Sequence, residues 1–229
     1  LLRRQPEDLG LQPDGAPAST ATTTATAAPE ASWSPRQAMG TAAFWLIIGS
    51  FMLAALSIGT IGFHLVAYLT DTGIEPALAA NLLSVYALSG GAAIVLWGFL
   101  SERVQVRYLS VGILALSAVA VVLLLNISGP ASALAFALLY GFTARSQSTL
   151  VQMLLASYYG RRFFGAISGI TVAFQLGVMG VSPWVAALVF DVTGSYQAIF
   201  TLFVGLYGLS AVCMLLARRP QTPMAATAI

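Results

Sequence analysis

Residues 42–69 read AAFWLIIGSFMLAALSIGTIGFHLVAYL, without a single Asp, Glu, Lys or Arg. A bilayer core of about 30 Å is crossed by roughly 20 apolar residues in a helix, so this stretch is long enough to span and to tilt. The same pattern recurs along the chain at 77–100, 108–125, 131–158, 163–190 and 196–217. The breaks between the runs carry turn chemistry and charge: Asp71-Thr72-Gly73, Ser101-Glu102-Arg103, Asn126 to Pro130, Gly160-Arg161-Arg162 and Asp191 to Ser195. Barrel strands would be about 10 residues long with strict alternation. The expectation is therefore an all-α membrane protein of six transmembrane helices.

Composition agrees. Of 229 residues, 58% are hydrophobic and 8% are charged, and the mean hydropathy is +0.85; soluble domains carry about 25% charged residues. The net charge of +2 provides no global field for nucleic acid. Cys213 and His64 are single, which argues against a disulfide framework and a metal centre, and no cofactor is expected. An enzyme would need a nucleophile with a base, or a metal cluster, and the membrane runs contain no acid and no lysine.

Residues 1–40 differ in composition from the apolar runs. From Pro13 to Ser34 the chain is rich in Ala, Thr, Pro and Ser and lacks hydrophobic periodicity, the composition of a flexible linker. The expected organisation is a cytoplasmic linker at 1–40, a six-helix body at 41–219 and a short cytoplasmic tail at 220–229. Leu1 is not a methionine, and the chain is expected to be a fragment or a product that lost its beginning. Orientation follows from the arginines. With the linker inside, Arg3, Arg4, Arg36, Arg103, Arg107, Arg161, Arg162, Arg218 and Arg219 all fall on the cytoplasmic side, and the opposite side keeps only Asp71, Glu75 and Asp191. That is a strong positive-inside asymmetry.

The loop after the second run reads Gly98-Phe99-Leu100-Ser101-Glu102-Arg103-Val104-Gln105-Val106-Arg107. It resembles the Gly-x-Leu-x-Asp-Arg-x-Gly-x-Arg pattern of the major facilitator superfamily, with Glu102 for Asp and Gln105 for Gly. Gly98 would admit a close neighbour, Glu102 could sit against a helix N-terminus, and Arg103 and Arg107 could latch a cytoplasmic gate. Three further segments, at 64–73, 159–165 and 191–196, resemble the bacterial monocarboxylate and oxalate/formate branch, as does the opening stretch from Arg4 to Gly15. The resemblance implies the C-terminal half of a twelve-helix transporter working by alternating access, with the substrate site between the halves. It also implies a bacterial plasma membrane, a small organic anion as cargo with protons as coupling partner, and a first six-helix half supplied by the same chain or a second subunit.

Polar groups inside the runs are candidate site residues, because they are costly in lipid. Arg145 lies near the centre of the fourth run, and helical spacing sets Gly141, Arg145, Ser148 and Gln152 on one face. An arginine fork can hold a carboxylate, or pair with backbone carbonyls or an acid from elsewhere. His64, flanked one turn away by Thr60 and Tyr68, is a proton or substrate group or a histidine bonded to a neighbouring helix. Gln175, with Ser168 and Thr171 on one face, lines a cavity or glues helices. The fifth run is rich in small residues, Gly165, Gly169, Gly177 and Gly180, with Gly165-x-x-x-Gly169 a close-packing pattern, and Pro183 should bend it. Two alternatives stand beside the organic-anion transporter: a carrier of non-carboxylate drugs or metabolites, and a truncated membrane interaction protein without transport.

Overall fold

The computed structural model describes residues 33–221, all helix and short turns. Most of the linker, including Arg3, Arg4 and the opening segment, and the end of the tail lie outside the described residues. The elements are α1 (Pro35–Met39), α2 (Ala42–Asp71), α3 (Pro76–Ser101), α4 (Val106–Leu125), α5 (Pro130–Ala144), α6 (Gln147–Tyr159), α7 (Phe164–Thr193) and α8 (Gln197–Leu216). Local chemistry sets many of the ends. Ser34 and Gln37 form a reciprocal capping box on α1, the Thr41 hydroxyl accepts from the Phe44 N–H at the start of α2, and Pro76 and Pro130 occupy first-turn positions where no N–H is missed. Gly194 ends α7 in the left-handed region at φ 66°, which a Cβ would disfavour.

Among the described residues, five helices are long and apolar enough to cross a membrane: α2, α3, α4, α7 and α8. The fourth expected span is the correction. It breaks at Arg145-Ser146 into α5 and α6, and at 1.5 Å per residue each piece reaches only about 20 Å. The cause is local. Thr143 donates its hydroxyl to the Leu139 and Tyr140 carbonyls, Ser146 donates to the Phe142 carbonyl, and the Ser146 N–H reaches back only three residues, to Thr143. Hydroxyls that compete for helix carbonyls bend helices, and here two act within four residues. Together α5 and α6 still cover the length of one crossing.

Where linker was expected, the last residues before α2 are folded instead. Trp33 is buried edge-on against Tyr159, the Trp33 N–H donates to the Tyr159 carbonyl at 3.1 Å, and Ala38 of α1 has no exposed surface.

The bundle is built by α3 packing on α5, α4 on α8 and α5, and α2 on both α7 and α8. Its outer surface carries large apolar side chains: Phe63, Leu88, Val95, Leu176, Trp184 and Leu202 are all exposed. A helix apolar on every side fits lipid, not water. The closest approaches fall at glycines. A Cβ on Gly141 would overlap the Tyr86 carbonyl, and one on Gly90 would overlap the Arg145 side chain, so α3 and α5 touch backbone to backbone. A Cβ on Gly59 would collide with Ser182 and Met179 of α7. A Cβ on Gly165, Gly169, Gly177 or Gly180 of α7 would meet nothing within 4 Å among the described residues. The small residue that lets α2 and α7 meet is on α2.

Candidate functional site

Arg145 occupies the cap position after α5, at the break itself. Its side chain lies over Gly90 of α3, and its guanidinium is exposed on a face that the described residues leave open. Tyr86 of α3 is within electrostatic range of it. The expected stripe of Gly141, Arg145, Ser148 and Gln152 is divided by the break: Gly141 is buried against α3, whereas Ser148 and Gln152 are half-buried on α6. Gln152 Oε1 accepts from the Ser168 hydroxyl of α7 at 2.6 Å, which ties α6 to α7. Gln175 lies two turns further along α7, half-buried.

His64 and Tyr68 form a separate cluster toward the other end of α2. His64 Nε2 stands 3.1 Å from the Pro183 carbonyl and Nδ1 stands 3.1 Å from the Tyr196 hydroxyl. A carbonyl only accepts, so Nε2 carries a proton, and in the neutral ring Nδ1 accepts from the Tyr196 hydroxyl. Burial and the nearby Asp71 and Asp191 carboxylates push the Tyr196 phenol above its usual range, which keeps that proton in place. Tyr68 donates to the Leu124 carbonyl of α4 and packs edge-on against Tyr196 and Phe200. Thr60 donates to the Ser182 carbonyl, and Ser182 donates to the Met179 carbonyl, the one that Pro183 leaves without its helical N–H. The bend in α7 is thus gripped from α2 by Thr60 and His64. No described hydrogen bond joins this cluster to Arg145.

The loop residues separate as well. A Cβ on Gly98 would meet nothing within 4 Å among the described residues. Glu102 caps the C-terminal end of α3, exposed, and Arg103 stacks over the Phe99 ring at 4.8 Å. Arg107 donates through Nη2 to the Tyr108 hydroxyl at 2.9 Å.

The centre of the bundle holds a polar pair that hydropathy does not reveal. Tyr140 and Tyr207 share a hydrogen bond of 2.9 Å there, both fully buried, with Tyr86 stacked on Tyr140 and the Ser57 and Ser117 hydroxyls beside Tyr207. Two turns away, Ser50 and Ser210 exchange hydroxyl bonds with each other's carbonyls. Ser50 and Ser57 are seven apart on α2, which places both on one face, and that spacing was the available signal.

The sequence pattern of the Major Facilitator Superfamily matches residues 18–228. The chain belongs to the major facilitator superfamily. An MFS-type transporter of Gibberella moniliformis (strain M3125 / FGSC 7600) is 28% identical over 156 residues, 67% of this chain and 38% of that protein. Monocarboxylate transporter 12-B of Danio rerio is 25% identical over 166 residues, 69% of this chain and 34% of that protein. The chain therefore spans little more than a third of the length of these curated relatives. Within the superfamily bundle, Arg145 is the charged side chain set deepest in the apolar runs.

Proposed function

We propose that this chain forms one six-helix half of a secondary transporter, with the α5–α6 pair acting as one broken crossing, and that it moves a small organic anion by alternating access. The observation that carries this is Arg145. A guanidinium at mid-membrane costs about 2.5–3.5 kcal/mol on insertion scales, and here it is exposed at a helix break, not buried against an acid. A group so placed is best matched by an anion entering from the open face, a carboxylate above all. Membership of the superfamily and likeness to a protein named as a monocarboxylate transporter support that cargo. A second six-helix half, from the same polypeptide or another subunit, would close the site. Ser148, Gln152 and Gln175 would line it. His64 and Tyr68 would act from the far end by holding the α7 bend, with coupling to protons through His64. The loop from Gly98 through Glu102 and Arg103 to Arg107 would latch the cytoplasmic side, where both termini lie, and the membrane would be a plasma membrane.

The test is uptake of labelled short-chain monocarboxylates into proteoliposomes holding the natural full-length protein, with and without a pH gradient. Losing a charge-assisted contact of about 1.5–3 kcal/mol predicts a drop of about 10- to 100-fold in apparent affinity for Arg145→Ala. Unchanged uptake by Arg145→Ala would remove the contact role, and absence of uptake by the natural protein would remove the cargo.

A further inference from the structure

The end of the bundle that carries the arginines holds a cavity of about 480 Å³. It lies where α3 gives way to α4 and reaches the end of α6 and the chain after α8; among the described residues, Arg107 and Arg219 both line it, with Gln105, Ser157 and Tyr158, and no carboxylate does. Two like charges facing one space repel unless something negative lies between them.

The fold holds the Arg107 guanidinium there and sets the backbone that carries the exposed Arg219. Arg107 is fixed over the Tyr108 ring at 4.8 Å and bonded to its hydroxyl, which leaves its Nε shielded from solvent and without a partner. Arg219 is placed by Tyr158, whose hydroxyl donates to the Ala217 carbonyl at 2.8 Å and so pins the chain leaving α8 to the end of α6. The Tyr158 hydroxyl stands within electrostatic range of both arginines. The 20-residue helix α4 begins on the same cavity, and its cap residue Gln105 makes no side-chain capping bond. Its dipole adds to the positive field.

We propose that this cavity binds a phosphate-bearing anion, either the headgroup of an acidic phospholipid or a soluble phosphate. A tetrahedral phosphate offers oxygens in several directions, which suits donors converging from α4 and from the chain after α8; a planar carboxylate serves one fork. The lining residues sit at helix ends, those of α3 and α4 being long enough to cross a bilayer, and basic pockets between the ends of membrane helices take anionic headgroups. The site does not involve Arg145; it shares Arg107 with the proposed cytoplasmic latch, and Arg219 lies outside that loop.

The experiment places the intact protein in nanodiscs of phosphatidylcholine with a minority of phosphatidylglycerol and counts retained lipid by native mass spectrometry. A parallel arm titrates inorganic phosphate into pure phosphatidylcholine discs, read by phosphorus NMR line broadening. The natural sequence should retain phosphatidylglycerol selectively. Arg107→Gln with Arg219→Gln should weaken that retention about thirtyfold, and Arg219→Gln alone, at an exposed chain end, about fivefold. The exposed pair Arg161 and Arg162, changed to Gln, should leave it unaltered. Phosphate binding without lipid retention would assign the soluble source, and lipid retention that phosphate does not displace would assign the headgroup. Binding of neither, or an equal loss in the Arg161/Arg162 control, would overturn the proposal, because the arginines would then act only through their general attraction to an anionic surface.

Discussion

Gly141→Ala tests the contact that positions Arg145. The added Cβ would overlap the Tyr86 carbonyl of α3 and press on Ser89; neither helix backbone can yield locally, so α3 and α5 must separate. Overpacking of this kind costs about 1–3 kcal/mol. Alanine in a helix interior also gains about 1 kcal/mol over glycine, which would mask part of the loss. Gly112→Ala on α4 supplies the reference, since a Cβ there meets no neighbouring element within 4 Å. The propensity gain is common to both variants, so their difference isolates the packing term of about 1–3 kcal/mol. For a chain of this size that corresponds to roughly 2–12 °C in Tm. Thermal unfolding in detergent, followed by size-exclusion chromatography of the surviving fraction, reads the difference. A Gly141→Ala protein that melts at or above Gly112→Ala would refute the backbone-to-backbone contact, and with it the argument that α3 holds Arg145 in place.

Tyr140→Phe and Tyr207→Phe should each cost about 1–3 kcal/mol by stranding the partner hydroxyl, while the double variant should cost clearly less than their sum; an additive cycle in unfolding experiments would mean that the 2.9 Å bond contributes nothing. His64→Leu removes the donor to the Pro183 carbonyl and the acceptor for Tyr196, and should lower stability by about 1–2 kcal/mol and raise amide hydrogen exchange near the α7 bend. Unchanged exchange there would show that His64 does not hold the bend. Gln152→Leu should free the Ser168 hydroxyl and cost about 0.6–1.7 kcal/mol, the range for bonds between membrane helices; a more stable variant in the same melt would count against the α6–α7 tie.

Much of the architecture was legible because lipid imposes a simple requirement: every crossing must satisfy its own backbone, so long charge-free runs announce helices. The observed ends of α2, α3, α4, α7 and α8 lie within a few residues of the runs read from sequence. The break at Arg145 was not legible from hydropathy, which averages over the Thr143 and Ser146 hydroxyls that cause it. Glycine spacing on α7 did not locate a contact among the described residues, for a related reason. Spacing shows that a face is small, but not that another helix lies against it, and the close approach to α7 comes from Gly59.

By itself, then, the sequence determined that the chain lives in a membrane as helices, which loops carry the arginines, and that Arg145 is an unusual charge among apolar neighbours. These are one-dimensional properties, set by composition, period and position along the chain. Only the tertiary structure decided which polar groups meet: His64 with Pro183 and Tyr196, Gln152 with Ser168, Tyr140 with Tyr207, and Arg107 with Arg219 around one cavity. Each of these pairs joins residues at least 16 positions apart, so the partners are chosen by how helices pack and rotate against one another, and no local period encodes that.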